Sequence, residues 1–331
     1  MRRNVSQFDL PPRPRACPVG LAAFALLRAM TNRTSAQAAR PPGQARGRGG
    51  LFLRSFLSIV AVLGFGSSGI DATSAADKTG GASKPKEGNA TDNIEAALKE
   101  AQIKFETDSE RQIISVEFGS PEKGALSVAH LKLVAKIKTL KSLGSKLSFD
   151  NVSNDKLAAI GTIKSLESLT FDCCNFQGND LKKLAVLPKL TKIAWTDSTI
   201  DDAGAKSLST IKTLTILKLD GNQISDFGVK ALGNLKDLTE LSLAKNIGDR
   251  QAAKSPPITD AALVSIKGMK QLKVLNLSGN SISDAGLKQL TGMMSLETIR
   301  LADTKVTPDG IAKFNEALPG CKVEMKNELK E

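Results

Sequence analysis

The chain has 331 residues, 41% of them apolar and 24% charged, with a formal net charge of +12, one His, one Trp and no Tyr. This length and apolar content can bury a substantial core. A single histidine and four cysteines without a C-x-x-C spacing argue against a zinc site, and an odd cysteine count downstream of residue 76 argues against a disulfide framework. Charge is distributed unevenly. Ten of the thirteen Arg lie between Arg2 and Arg54, whereas all thirty-three Lys follow residue 77. Residues 1–76 hold ten basic side chains against Asp9 and Asp71, so +8 of the +12 sits there and about +4 remains for residues 77–331. The basic pI is thus mostly a property of the first segment, which weakens a nucleic-acid reading of the rest.

That first segment, 1–76, has the layout of an export leader. Arg40, Arg46, Arg48 and Arg54 precede the apolar run SFLSIVAVLGFG at 55–66, and Ser74-Ala75-Ala76 fits the small-x-small rule for cleavage before Asp77. Twelve residues fall short of the ~20 a membrane-spanning helix needs. Removal of the leader and its retention as a membrane tether by 55–66 both stay open. A second apolar run at 17–27, and the leader's unusual length from Met1, allow a true start at Met30. Residues 77–92, DKTGGASKPKEGNATD, lack large apolar side chains and read as a flexible linker. Residues 91–102, TDNIEAALKEAQ, put Ile94, Ala97, Leu98 and Ala101 on one helical face, with Asp92 and Glu95 spaced as a capping box.

From there the sequence repeats. Copies begin at Leu166, Leu190, Leu214, Leu238, Leu272 and Leu296, at spacings of 24, 24, 24, 34 and 24. Two looser copies precede them, within 112–137 and 142–160. The pattern is L-x-x-L-x-L-x-x-N-x-I-x-D-x-G-L-x-x-L-x-x-L. Its first half alternates, as in Leu217 and Leu219 or Leu275 and Leu277, and predicts a strand with one buried face. Its second half spaces apolar residues by about three, as in Val229, Leu232 and Leu235, and predicts a short helix. Three places after the second strand leucine stand Cys174, Ser198, Asn222, Asn246, Asn280 and Thr304, all small and able to hydrogen-bond, as a ladder of strand-end partners requires. The phrases at 200–202, 224–226, 258–260, 282–284 and 306–309 supply helix caps, and the acids in them read as caps and not as catalytic carboxylates. Gly204, Gly228, Gly286 and Gly310 allow close approach of the neighbouring coil.

These copies resemble leucine-rich repeats, near the ribonuclease-inhibitor-like type and similar to exported bacterial arrays with an I-T-D-x-G-L phrase. The resemblance covers about residues 110–323. It implies an α/β right-handed solenoid with a parallel β-sheet on the concave side and short helices on the convex side. The domain would run over 93–325 in about eight repeats, with an N-terminal capping helix, a closing strand in 318–325 that carries Cys321, Val323 and Met325, and a polar tail at 326–331. Eight strands give a face on the order of 38 Å long.

Function then falls on the polar rows of the concave face. Between the strand leucines lie Ser148, Thr170, Ala194, Lys218, Ser242, Asn276 and Arg300; immediately after them lie Asp150, Asp172, Thr196, Asp220, Ala244, Ser278 and Ala302. The earlier copies are the more acidic, while Lys218, Lys245, Lys273 and Arg300 make the later ones basic, a polarity able to steer a charged partner. A solvated sheet with unselected charges is the competing explanation. Trp195 occupies a strand-leucine position and belongs to the core. The insertion at 247–257 is either a recognition loop exposing Arg250 and Lys254 or a tolerated surface loop. No nucleophile, phosphate-loop or metal motif is present, so no enzyme, cofactor or metal is expected. The sequence therefore points to an exported, non-catalytic interaction module for a protein or cell-envelope partner. A tethered structural envelope component and an intracellular substrate-recruiting adaptor are the alternatives.

Overall fold

Residues 90–119, 124–146, 151–176, 180–245 and 257–326 are described by a computed structural model. The leader, most of the linker, Ser148, Asp150, Asn246, Arg250, Lys254 and the tail beyond 326 lie outside the described residues. The elements in order are α1 (Ala90–Glu100), β1 (Lys104–Thr107), β2 (Ile113–Phe118), α2 (Val128–Val134), β3 (Ser142–Ser145), β4 (Asn151–Val152), α3 (Asn154–Ile160), β5 (Ser168–Asp172) and β6 (Asn175–Phe176). A 3-10 helix over Asp180–Val186 follows, then β7 (Lys192–Thr196), α4 (Asp202–Leu208), β8 (Ile216–Lys218), α5 (Asp226–Leu232), β9 (Glu240–Ser242) and α6 (Asp260–Ile266). The last elements are β10 (Val274–Asn276), α7 (Asp284–Gln289), β11 (Thr298–Arg300), α8 (Pro308–Ala317) and β12 (Lys322–Glu324).

Strands pair in the order β1-β2-β3-β5-β7-β8-β9-β10-β11-β12, a ten-stranded sheet that is parallel throughout except for β1 against β2. The first strand leucines fall in register, Leu143, Leu169, Ile193, Leu217, Leu241, Leu275 and Ile299, and every one is fully buried. Strand alternation sends these side chains inward, where the helices cover them. This is the α/β solenoid expected from the repeat pattern.

Several details differ from expectation. α1 reaches back to Ala90, into the stretch read as linker, so Asp92 lies inside its first turn and not at its cap; Glu95 pairs instead with Lys99 at 3.3 Å. Ile94 and Leu98 are buried, as a capping helix requires. β1 is an antiparallel strand that the repeat pattern does not contain. In β3 the register sets Leu143 opposite Leu169 and Gly144 opposite Thr170. The row position expected at Ser148 therefore belongs to Gly144, and Lys146 stands where Asp150 was expected. The helix of the Leu166 copy is the 3-10 segment, because Gln177-Gly178 replaces the Ser/Thr-Asp cap found in later copies. At the end of the sheet, Cys321 is buried but Met325 is 38% exposed.

Two inter-repeat hydrogen-bond systems hold the coils together. The first is the expected ladder. Asn222 Nδ2 donates to Trp195 O at 2.6 Å, and its Oδ1 accepts from Ile200 N at 3.0 Å. Asn280 does the same for Leu243 O (2.8 Å) and Ile258 N (3.2 Å). The two ends of the insertion are thus pinned by one side chain of the next coil, as if no residues had been added. Ser198 Oγ accepts from Cys174 N at 3.1 Å. Strands leave the sheet through left-handed residues at Cys173, Asp197, Gly221, Gly279 and Asp303.

The second system joins the helix starts. Ser225, Thr259, Ser283 and Thr307 cap their own helices. The Asp that opens α4, α5, α6 and α7 does not cap its own helix; it binds the cap residue of the next coil. Asp202 accepts from Ser225 N at 2.8 Å and Ser225 Oγ at 2.6 Å, Asp226 from Thr259, Asp260 from Ser283 and Asp284 from Thr307 in the same two-point manner. The glycine of the phrase makes room for that carboxylate: a Cβ at Gly228, Gly286 or Gly310 would lie 2.5, 2.1 or 2.1 Å from Oδ1 of Asp202, Asp260 or Asp284. Bonds from Thr307 N and Oγ1 hold the Asp284 carboxyl below its ordinary range. The stability this staple adds is present above the ordinary carboxylate pKa and is lost as pH falls through the depressed one.

Phe171, Phe176 and Trp195 form the aromatic part of the core, with Phe176 stacked on Trp195 at 4.6 Å. Trp195 Nε1 and Ser145 Oγ are buried there without partners. Asn280→Ala should cost about 2–4 kcal/mol in urea denaturation, since it orphans two buried backbone groups. Gly286→Ala, which drives a methyl group onto Asp260, should cost about 1–3 kcal/mol. Ser145→Ala, removing an unpaired hydroxyl, should be neutral or stabilise by about 1 kcal/mol.

Candidate partner-binding face

The outward side of the sheet is built from the residues that alternate with the core leucines. Between them stand Gly144, Thr170, Ala194, Lys218, Ser242, Asn276 and Arg300, and after them Asp172, Thr196, Asp220, Ala244, Ser278 and Ala302. Most are small, so the face is low, with its backbone close to solvent.

Its charges are largely consumed within the fold. Lys218 pairs with Glu240 at 2.7 Å, Lys273 with Glu297 at 2.8 Å, Arg300 with Glu324 at 2.7 Å and Lys146 with Glu117 at 2.9 Å. Glu324 also meets Lys322 at 2.7 Å, and the Lys322 and Arg300 contacts hold its carboxyl below the usual range. Bonding to Glu117 raises the Lys146 pKa. Asp172 accepts from Thr196 Oγ1 at 2.9 Å. Asp220 accepts from Ser242 Oγ at 2.6 Å and Ala244 N at 2.7 Å, yet burial outweighs these bonds and pushes its carboxyl up. Asn276 Oδ1 accepts from Ser278 N and Oγ. The expected acidic-to-basic polarity is therefore weakened, because the basic residues of the later copies face glutamates on neighbouring strands.

Lys245 sits apart from the outward rows. It follows Ala244 at the end of the strand, its N–H donates to Ser278 O at 2.8 Å, and burial lowers its pKa. With Leu219, Asn222, Ile224, Leu243, Ile258 and Asn280 it lines a cavity of about 10 Å³, room for one water. A larger open cleft, about 430 Å³, lies at the first end of the sheet over Lys104, Phe105, Glu106, Ser115 and Glu117.

A residue missed at the sequence level is Lys192. It lies in the row before the first strand leucines, in register with Ser168 and Ile216, and is half-exposed. It forms no ion pair or side-chain hydrogen bond among the described residues. The signal was available, since strand alternation puts this third row on the same face as the other two.

Cys173, Cys174 and Cys321 are buried and form no disulfide with one another, and burial pushes the Cys321 thiol up to about 11. Among the described residues no group of three or more His, Cys, Asp or Glu could hold a metal ion, and no helix is long and apolar enough to cross a membrane.

The family described as Leucine Rich repeat matches residues 210–233 and 270–290, two of the copies whose strand, ladder and helix positions are set out above. At these two copies the chain matches the leucine-rich repeat family. No curated protein matches it. Among solved structures, an internalin, InlF, of Listeria monocytogenes is similar at 21% identity and a TM-score of 0.43, covering 60% of this chain and 58% of its own. The leucine-rich repeat ectodomain of the Arabidopsis receptor kinase HAESA, in complex with an extended IDA peptide hormone, is similar at 16% identity and a TM-score of 0.42, covering 72% and 49%. The plant peptide hormone receptor RGFR1, in complex with RGF2, is similar at 13% identity and a TM-score of 0.39, covering 68% and 36%. The chain spans between 36% and 58% of the length of these three structures.

Asp220→Asn keeps the acceptor for Ser242 but removes the buried charge. A raised carboxyl pKa means that the wild type loses stability as pH climbs from the ordinary carboxylate range through the raised value. The variant should therefore gain stability over wild type at neutral pH, and the gain should vanish at acidic pH in thermal melts across that range.

Proposed function

We propose that the leucine-rich repeat domain is a non-catalytic module that binds an extended protein segment across the outward face of its sheet. The observation that carries this reading is the register of small outward residues, Thr170, Ala194, Thr196, Ser242 and Asn276, broken at Lys218 by its pair with Glu240, beside Lys192, which forms no ion pair among the described residues. A partner's main chain can approach such a floor closely, and Lys192 offers it one ammonium group. Asp172, Lys218, Asp220 and Arg300 contribute mainly by holding that floor in shape, since their polar groups already have partners within the fold. A non-catalytic role fits a sequence with a single His and no G-x-S-x-G, phosphate-loop or H-E-x-x-H motif.

The same proposal takes residues 1–76 as an export leader removed before Asp77, residues 77–89 as a linker, and the partner as one met at or outside the cell envelope. Amino-terminal sequencing of the chain from its own cells should read from Asp77 or a neighbouring residue; an intact Met1 or Met30 would contradict export by cleavage.

Binding is tested by placing bulk on the floor. Ala194→Arg and Lys192→Glu should each abolish cross-linking to the partner that wild type captures, with unchanged urea midpoints. Lys230→Glu, on the helix side, should leave capture intact. Equal capture by all four proteins would remove the sheet face from consideration.

A further inference from the structure

The helix layer carries a second surface, independent of the sheet face and of the leader. The fifth residue of α4, α5 and α7 is Lys206, Lys230 and Lys288, each exposed and without an ion pair among the described residues. The turns after the helices place Lys212, Lys236 and Lys270 at matching points of their repeats. Lys212 and Lys236 lie along the ends of their helices, donating to Ser209 O at 2.7 Å and Gly233 O at 2.5 Å. Carboxylates gather at the opposite helix ends, where Asp202, Asp226, Asp260 and Asp284 are engaged by the next coil's hydroxyls. One edge of the helix layer therefore presents ammonium groups repeat after repeat.

At two of the interruptions in the lysine rows a large apolar side chain stands in the open. Val264 takes the fifth helical position in α6 and is 57% exposed; Met294 takes the turn position and is 79% exposed. Phe227, three residues before Lys230 on the same face of α5, is 80% exposed. Water alone gives no reason to put Phe, Val and Met among lysines. A soluble polyanion would use the lysines and leave Val264 and Met294 idle, and against nucleic acid the helices Asp202–Leu208, Asp226–Leu232, Asp260–Ile266 and Asp284–Gln289 offer no arginine fork and a single exposed aromatic ring, Phe227. An anionic bilayer surface uses both kinds of residue: lysines are drawn to its headgroups while exposed apolar side chains enter the acyl boundary.

We infer that the helix layer docks on an anionic lipid surface, with Lys206, Lys230 and Lys288 over the headgroups and Phe227, Val264 and Met294 inserted between them. Docking in this orientation leaves the sheet face turned away from the lipid and open to a protein partner.

The test is amine-reactive labelling of the full chain, read lysine by lysine by mass spectrometry, with vesicles of phosphatidylcholine alone or mixed with phosphatidylglycerol. A site-by-site reading separates docking by this surface from attachment through the leader. Labelling of Lys206, Lys230 and Lys288 should fall roughly fivefold with the anionic vesicles, on the scale of one lysine's attraction to such a surface. Lys146 and Lys192 on the sheet side should not change, and phosphatidylcholine alone should protect none of them. Phe227→Ser combined with Met294→Ser, both at exposed positions where folding is not at stake, should restore most of the labelling. Unchanged labelling of the helix-layer lysines, equal protection of the sheet side, protection by heparin without protection by vesicles, or undiminished protection in the double variant would each overturn the inference.

Discussion

Each coil of this solenoid ends its strand in a turn whose buried backbone groups it cannot satisfy by itself. Leaving such a group unpaired costs about 1–3 kcal/mol, enough to decide whether a marginal domain folds. At Ser198, Asn222 and Asn280 the chain meets this cost by passing such groups of one coil to a side chain of the next. Asn222 serves Trp195 and Ile200, and Asn280 serves Leu243 and Ile258. On the helix side Asp202, Asp226, Asp260 and Asp284 reach forward to the cap of the following coil. Stability is then built from contacts between neighbours, as expected of a quasi-one-dimensional array. The same arrangement explains how the 34-residue spacing is accommodated: Asn280 bonds Leu243 O before the added residues and Ile258 N after them.

This use of polar groups shapes what is left for function. Asp172, Asp220 and Asn276 look like recognition residues in a row, but each is bonded to a neighbouring strand or residue, and the cations of the face have glutamates opposite them. What remains for a partner is a floor of small side chains and the ammonium of Lys192. On the helix side the situation differs, because Asp202, Asp226, Asp260 and Asp284 are engaged while Lys206, Lys230 and Lys288 form no ion pair among the described residues. The two surfaces therefore differ in physical character: one is close to charge-balanced and low in relief, the other is cationic and dotted with exposed apolar groups.

Much of this was legible in the sequence. The strand leucines, the ladder residues, the caps and the buried position of Trp195 follow from a period of two, a period near three and a fixed 24-residue spacing. The misses have specific causes. In the copy around β3, Leu143 with Ser145 and Leu147 with Phe149 alternate equally well, and hydrophobicity favours the second pair; pairing with β5 selects the first, at the cost of burying the Ser145 hydroxyl. β1 escapes because Lys104–Thr107 contains a single core side chain, Phe105. The forward reach of the helix-opening aspartates could not be read from one copy, since an Asp in a first turn satisfies the rules for its own helix. The glycine two residues later was the available hint, and its meaning depends on a carboxylate from the preceding coil. The charge pairs were hidden for the same reason: Lys218 and Glu240, or Arg300 and Glu324, become neighbours only when coils stack.

The claim that the coils are held by bonds passed from one to the next is tested most directly by amide hydrogen exchange at two positions. Ile200 N and Ile258 N both donate to an asparagine of the following coil, but only Ile258 follows the added residues. If Asn280 closes its coil as Asn222 closes its own, the two amides exchange slowly and at comparable rates, and Asn280→Ala accelerates Ile258 while leaving Ile200 protected. Exchange of Ile258 in the wild type at the rate of an open loop, with Ile200 protected, would contradict it.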